Sequence, residues 1–364
     1  MKIGIISYNN NTTLVSLTGL LATYKDISLS VYASDYDKTM NLLGAEIADD
    51  MASCIKDAEI IINLIAYSQS YSKKYQELSD KYRIDILHAK ASLDMIRCFD
   101  IIDELNKFGE AVKTNKALII NGGEPVDIIT SYLNKTFLIE SYGISRKDLS
   151  TVDSLLKKAD MDKLIGKVNY SLAGIINNLW LLTITDKKGK DLYPEIRAKF
   201  KDTDLAVSRN GLTRDSIRSL KFYGYYHSYQ ATSERSEEVI ASLVKQFIDG
   251  DKVTVYLNAT NNNSISAIDS AAVTQLPMTI ENGKLIRGEV DMPLQCSLAI
   301  TDYASTQALI VKTLINKSKE TFNRTIKLDP YLKSILTLDE LDSLIKDIFS
   351  IEEKANKMLS EVSL

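Results

Sequence analysis

The chain has 364 residues, 45% apolar and 25% charged, with a net charge of −4. That is an ordinary globular composition, long enough for two domains or one large one. The mild acidity and the lack of a basic block argue against nucleic-acid binding, and without a run of about 18 apolar residues no membrane span is predicted.

The opening Met1-Lys2-Ile3-Gly4-Ile5-Ile6 turns polar at Ser7, so no signal peptide is expected. Cys54, Cys98 and Cys296 are odd in number and far apart, which favours a reducing cytoplasm over a disulfide framework. His88 and His227 match no zinc spacing.

Strands and helices alternate through the N-terminal part. Lys2–Ile6 has strand length, and Leu14–Tyr24 carries apolar residues at helical spacing. Ile27–Tyr32 alternates with period two and ends near Asp35. Ile60–Ile65 is a second apolar strand. Leu93, Ile96, Phe99, Ile102 and Leu105 recur every three residues and predict one amphipathic helix. Ala117–Ile120 is another buried strand, ending at Asn121-Gly122-Gly123. This alternation predicts an α/β fold, a Rossmann-type parallel sheet over residues 1–135, with helices on both faces.

Residues 136–364 predict a mixed α+β domain for substrate and oligomerisation. Leu172–Leu182 is apolar but interrupted by Asn177-Asn178. Lys252–Asn258 reads as a strand, Asn261–Asn263 as a loop and Ile300–Ile315 as a helix. Thr337 and Glu340 have capping-box spacing ahead of another helix.

Ligands of parallel α/β sheets bind beyond the strands' carboxyl ends. Position alone therefore selects Ser7 to Asn11, Asp35, Asn63 and Asn121, with Ser7, Asn9, Asn10, Asp35 and Asn63 the candidates for a cofactor and Asn121 for a ligand. The first turn, Ser7-Tyr8-Asn9-Asn10-Asn11-Thr12, lacks the glycines of a pyrophosphate cradle. It is either a cradle of small polar residues or a turn that binds nothing. Asn tolerates left-handed backbone, which keeps binding open. Asp35 is placed to take ribose hydroxyls, or is merely solvated; Asn63 and Asn121 bind a ligand or cap their strands. Tyr223, Tyr225, Tyr226 and Tyr229 form either a packed aromatic cluster or a source of an acid/base group. Ser233–Glu238 reads as a charged helix start.

Several segments, taken in order, resemble glycoside hydrolase family four, the NAD- and metal-dependent glycosidases with a lactate/malate dehydrogenase-like fold. Asn121-Gly122-Gly123-Glu124-Pro125-Val126-Asp127 is similar to the N-P-V-D segment of those dehydrogenases and the N-x-x-N-P segment of the glycosidases. Gly174-Ile175-Ile176-Asn177-Asn178-Leu179-Trp180-Leu181 resembles the family's G-x-N-H-x-x-W-L. Gly189, Asp191, Tyr193 and Pro194 follow its G-x-D-x-Y-P. Tyr223-Gly224-Tyr225 and Ser233-Glu234-Arg235-Ser236-Glu237 continue the order, as do Val273–Pro277, Asn282-Gly283, Pro293, Thr306–Leu309 and Leu328-Asp329-Pro330. The likeness thins between 66 and 92, and the chain is shorter than the family pattern near a substrate loop.

The resemblance implies a glycosidase acting by oxidation and elimination. NAD takes the hydride from sugar C3, a base removes the C2 proton, and a divalent metal, usually manganese, stabilises the enediolate. It implies a sugar or sugar-phosphate substrate and a homo-oligomer, dimer or tetramer. It implies a tyrosine base at Tyr229 or Tyr226, and substrate contacts from Asn121, Glu124 and Asn177. The family's metal cysteine and histidine fall on Ser141 and Asn177, poor donors for a transition metal. Manganese is therefore not expected to bind as in the family. Two further readings follow: a metal-independent NAD-linked oxidoreductase, and a non-catalytic relative that keeps the fold.

Overall fold

The computed structural model describes residues 1–35, 42–67, 73–85, 89–144, 147–175, 178–202, 211–228, 236–250 and 252–359. They form two compact units, Met1–Gly143 with Asp302–Leu364, and Ile144–Thr301.

In the first unit the chain runs β1 (Lys2–Tyr8), α1 (Asn11–Leu21), β2 (Ser28–Ala33), β3 (Ala45–Ile47), α2 (Met51–Ile55) and β4 (Ile60–Ile65). It continues through α3 (Lys73–Tyr82), α4 (Lys90–Arg97), α5 (Ile102–Val112), β5 (Leu118–Asn121), α6 (Val126–Phe137) and β6 (Ser141–Ile144). The strand order is β3-β2-β1-β4-β5-β6, with every pair parallel. This is the order of a doubly wound dinucleotide-binding sheet, and its reversal between β1 and β4 marks where such sheets take ligands. The Rossmann-type expectation therefore holds. All six residues of β4 are buried, as expected of a strand covered on both faces.

The single helix expected from Leu93 to Leu105 is a correction. The structure breaks it into α4, a 3₁₀ turn at Cys98–Asp100, and α5. An apolar step of three residues drifts around an α-helix of 3.6 residues per turn; a 3₁₀ turn, with three residues per turn, absorbs the drift. Phe99 and Ile102 are thereby both fully buried.

The second unit holds α7 (Lys147–Lys158), β7 (Val168–Ile175), β8 (Asn178–Asp186), α8 (Tyr193–Phe200), α9 (Gly211–Tyr223), β9 (Tyr226–Ser228) and α10 (Ser236–Asp249). β10 (Val253–Thr260), β11 (Val273–Glu281) and β12 (Lys284–Arg287) follow. Its strands pair antiparallel in the order β10-β11-β7-β8-β9, with β12 on β11. The apolar stretch read across Leu172–Leu182 is thus two strands, β7 and β8. Asn282 and Gly283 join β11 to β12 with φ of 51° and 68°, the left-handed backbone that a two-residue hairpin loop requires. Asn261 holds the following loop, donating to the Ile265 and Ile268 carbonyls at 3.0 and 2.9 Å.

α11 (Leu294–Asn316) follows, and from Asp302 onward the chain belongs to the first unit. α12 (Lys319–Leu328), α13 (Leu332–Ile335), α14 (Leu338–Ile351) and α15 (Glu353–Met358) complete it. Phe322, Ile326, Leu341, Leu344 and Ile348 share one apolar core with Leu93, Phe99 and Phe108. The capping box is present: Thr337 accepts from the Glu340 N–H, and Glu340 accepts from the Thr337 N–H at 2.8 Å. Buried Asp329 ties the two segments of the unit together. It accepts from Ser92 Oγ at 2.6 Å and from the Leu332 N–H at 2.9 Å. Burial raises its pKa, opposed by these hydrogen bonds. No helix among the described residues is long and apolar enough to cross a membrane. Cys54, Cys98 and Cys296 are buried and form no disulfide.

Candidate functional site

The first β–α turn is built without glycine. Asn9 adopts φ 56°, the left-handed conformation a glycine would otherwise supply. Asn10 caps α1 with its carbonyl, which accepts from the Leu14 N–H at 3.0 Å; its side chain makes no cap hydrogen bond. The first N–H groups of α1 therefore receive no side-chain cap from Asn10, the situation that lets a helix N-terminus attract an anion.

Asp35, just past β2, reaches across to this turn. The Asn9 N–H donates to Asp35 Oδ2 at 3.0 Å, and Asn11 Nδ2 donates to the same oxygen at 3.4 Å. Asp35 Oδ1, Asn11 Oδ1 and Ser7 Oγ are buried atoms with no hydrogen-bond partner among the described residues. Ser7 is 1% exposed and lies between Ala33 of β2 and Leu64 of β4 in register. Unpartnered buried oxygens are uncommon and call for an explanation, a missing ligand being one. Asn11 belongs to the Ser7–Asn11 stretch that position beyond β1 selected.

Asn63 and Asn121 are brought together. They face one another in the parallel register of β4 and β5, and both are fully buried. Asn63 Nδ2 donates to Asn121 Oδ1 at 3.1 Å, and the Ile65 N–H donates to Asn63 Oδ1 at 3.0 Å. Asn121 Nδ2 donates to Thr130 Oγ1 at 3.1 Å and to Ser141 Oγ at 2.9 Å. Ser141 Oγ donates to Asn134 Oδ1 at 2.6 Å. The amides thus lock the carboxyl ends of β4 and β5 to the first residue of β6.

The following loop is tight. A Cβ on Gly123 would stand 1.9 Å from the Ile65 carbonyl oxygen, so only glycine fits. Glu124 is exposed at the surface, and its carbonyl accepts from the Tyr67 N–H at 3.4 Å. Nearby, Tyr67 Oη donates to Asp94 Oδ1 at 2.8 Å, and the Arg97 guanidinium stacks 3.7 Å from the Tyr67 ring centroid.

In the second unit, Tyr226 is 2% exposed within an apolar core, and Lys158 Nζ donates to its Oη at 3.1 Å. Tyr223 is 41% exposed. Gly224, at φ 77°, presents its carbonyl to Arg197 Nη2 at 2.6 Å. Tyr193 Oη donates to the Leu181 carbonyl, and burial raises its pKa. Tyr229, Asn177, Ser233–Arg235 and His88 lie outside the described residues.

Sequence reasoning missed the pair made by His227 and Asn178. They are 1% and 3% exposed. Asn178 turns its Nδ2 to the Ala299 carbonyl at 3.5 Å. Its Oδ1 therefore faces the ring, and His227 Nε2 donates to it. The imidazole packs 4.5 Å from the Trp180 ring. Burial pushes its pKa down to about 3. A lone histidine in sequence gives no signal of this; the β8–β9 register, Trp180 opposite His227, creates it.

No group of three or more His, Cys, Asp or Glu residues able to hold a metal occurs among the described residues. Ser141, at the family's cysteine position by resemblance, is neutral, fully buried and already donating to Asn134. It does not fit a transition metal, which prefers thiolate or imidazole.

No family model matches the chain. An alpha-galactosidase of Bacillus subtilis (strain 168) is 20% identical over 287 residues, which span 64% of this chain and 65% of that protein. The 6-phospho-beta glucosidase from Thermotoga maritima, solved with NAD and glucose-6-phosphate, superposes with a TM-score of 0.72 at 15% identity and covers 100% of both chains. A 6-phospho-alpha-glucosidase from gut microorganisms, solved with NAD and Mn2+, gives a TM-score of 0.72 at 12% identity, covering 100% of this chain and 99% of that one. The fold of this chain is the fold of these glycosidases along its whole length. The resemblance read from its motifs agrees with that likeness.

Proposed function

We propose that the chain is an NAD-dependent glycosidase, acting on a sugar or sugar-phosphate glycoside by oxidation, elimination and re-reduction. The observation that carries this reading is the end-to-end fold shared with a 6-phospho-beta glucosidase solved with NAD and glucose-6-phosphate. The three unpartnered oxygens at the first turn support it, because they supply what a dinucleotide's adenosine half needs. When bound, NAD supplies a reversible hydride acceptor.

Ser7, Asn9, Asn10 and Asp35 would hold that cofactor. Asn63 and Asn121, whose amides are spent on one another and on Ser141, would position the strand ends. Glu124, exposed just beyond β5, would accept from substrate hydroxyls, with Asn177 as a further polar contact. Of the two candidate tyrosines, Tyr229 is the base we favour. Tyr226 is packed into a core with its hydroxyl held by Lys158. The base takes the proton from sugar C2 after oxidation at C3 has acidified it. No step is routed through a metal, since Ser141 does not fit one. Three buried thiols suit a reducing cytoplasm.

The test is turnover of a panel of nitrophenyl glycosides and their 6-phosphates with NAD in deuterated water. Deuterium at C2 of the product is expected. Turnover without deuterium at C2 would refute the elimination mechanism. The neutral, engaged Ser141 favours a second reading, a metal-independent NAD-linked oxidoreductase. Net NADH accumulation from free sugars, without bond cleavage, would select it. Failure to bind NAD would leave a non-catalytic relative that keeps the fold.

A further inference from the structure

We propose that Asn282 is a site of covalent modification, an asparagine that loses its side-chain amide and turns into aspartate and isoaspartate. This chemistry needs only the β11–β12 hairpin tip and water, so it holds whether or not the chain is a glycosidase.

Asparagine is among the thermolabile residues, and the residue after it decides how readily the backbone can attack its amide. Glycine puts no side chain in the way. Asn-Gly pairs occur at Asn121, Asn210 and Asn282; Asn210 lies outside the described residues. The structure separates the other two. Asn121 is fully buried, and its amide is engaged by Asn63, Thr130 and Ser141. The nitrogen that would attack it, that of Gly122, donates to the Asn63 carbonyl at 2.9 Å. Asn282 and Gly283 are both exposed at the hairpin tip. Among the described residues no hydrogen bond holds the Asn282 amide or the Gly283 N–H. Asn263, also exposed, differs: the nitrogen after it, that of Ser264, donates to the Asn261 carbonyl at 2.8 Å.

Ring closure needs the Asn282 backbone to rotate out of its left-handed hairpin conformation, so it waits on local opening. β12 makes that opening easy. It has four residues, pairs with β11 alone among the described strands, and leaves Ile286 49% exposed. The Gly283 nitrogen gives its proton to hydroxide and bonds to Asn282 Cγ. The Cγ–Nδ2 bond breaks, and Nδ2 leaves as ammonia with a proton from water. Water then opens the cyclic imide. Breaking the new bond to Cγ leaves aspartate; breaking the old bond to the backbone carbonyl carbon leaves isoaspartate. One water is consumed, one ammonia is released, and nothing is oxidised or reduced.

Aspartate adds a charge beside Glu281. Isoaspartate also lengthens the backbone of a loop that fixes the pairing of Glu281 with Lys284 and of Ile280 with Leu285. Loop length sets register, so the isoaspartate form loses β12 from the sheet.

The experiment keeps the full chain in warm, mildly alkaline buffer, folded and in urea. Peptide mass mapping, with fragmentation that separates aspartate from isoaspartate, follows both sites over time. In the folded chain Asn282 is expected to convert at least about tenfold faster than Asn121, because burial adds an opening cost. In urea the two rates should converge. Equal rates in the folded chain would overturn the proposal. So would Asn282 left unconverted in the folded chain over a period in which it converts in urea. Hydrogen exchange then reads β12: Lys284–Arg287 should lose protection in aged wild type and keep it in Asn282→Asp, which carries the charge without the longer backbone. Equal protection in the two would overturn the loss of β12.

Discussion

Replacing Asn121 with alanine removes the centre of the buried amide network. Asn121 is fully buried and makes three side-chain hydrogen bonds, with Asn63, Thr130 and Ser141 at 3.1, 3.1 and 2.9 Å. Thr130 and Ser141 keep other partners, since they donate to the Val126 carbonyl and to Asn134. Asn63 Nδ2 loses the acceptor it has in Asn121. Each lost bond is worth about 1 kcal/mol net, and a stranded buried donor costs about 1–3 kcal/mol. With the small cavity added, Asn121→Ala should destabilise by about 3–4 kcal/mol. Urea unfolding followed by tryptophan fluorescence and circular dichroism measures it, with the two midpoints compared because the chain has two units. A loss below about 1 kcal/mol would refute the claim that this side chain serves the fold. A folded Asn121→Ala variant of normal stability that fails to bind NADH would instead assign the amide to a ligand.

Two other predictions concern the second unit and the strand-end loop. The folded-state pKa of His227 lies near 3, below its ordinary 6.5. The unfolded chain therefore binds the extra proton between those values. Stability from this group is full above about pH 6.5 and is lost as pH falls toward 3. His227→Gln should flatten the acid limb of a urea-midpoint profile between pH 6.5 and 4; an unchanged slope would show that the ring is not buried neutral. Gly123→Ala forces a Cβ to 1.9 Å from a backbone carbonyl, so a loss of about 1–3 kcal/mol or more is expected. Thermal melts that match wild type would contradict the close approach of this loop to β4.

The N-terminal sheet was legible because parallel strands buried on both faces are written as unbroken apolar runs. Ile60–Ile65 was read with the bounds the structure gives. The capping box at Thr337 was legible for a similar reason: both partners lie within one helical turn. The interrupted helix was not. The same three-residue spacing fits a continuous amphipathic helix and two helices joined by a 3₁₀ turn, and packing around Phe99 chose between them. The site was half legible. Ser7, Asn9 and Asp35 could be picked from strand ends, but not the hydrogen bonds that hold Asp35 against Asn9. Asn121 ends β5 as read, whereas Asn63 lies inside β4, two residues short of its end. Their engagement with each other depends on the β4–β5 register, which joins residues 58 apart.

The sequence by itself determined the kind of fold. Local patterns of burial and turn chemistry settle strand and helix without reference to distant residues. Only the tertiary structure decided which polar groups are spent and which are left over. Asn63, Asn121, Ser141 and Tyr226 look like ligand groups along the chain, yet their hydrogen-bonding capacity is consumed by neighbours remote in sequence. Ser7, Asn11 and Asp35 look equally polar and retain unmatched oxygens. The tertiary structure also decided that Asp302–Leu364 completes the first unit, through burial of Phe322 and Leu344 with Phe99 and through Asp329 on Ser92. The physical reason is common to both. Hydrogen bonds and apolar contacts form between groups that meet in space, and chain order does not say which will meet.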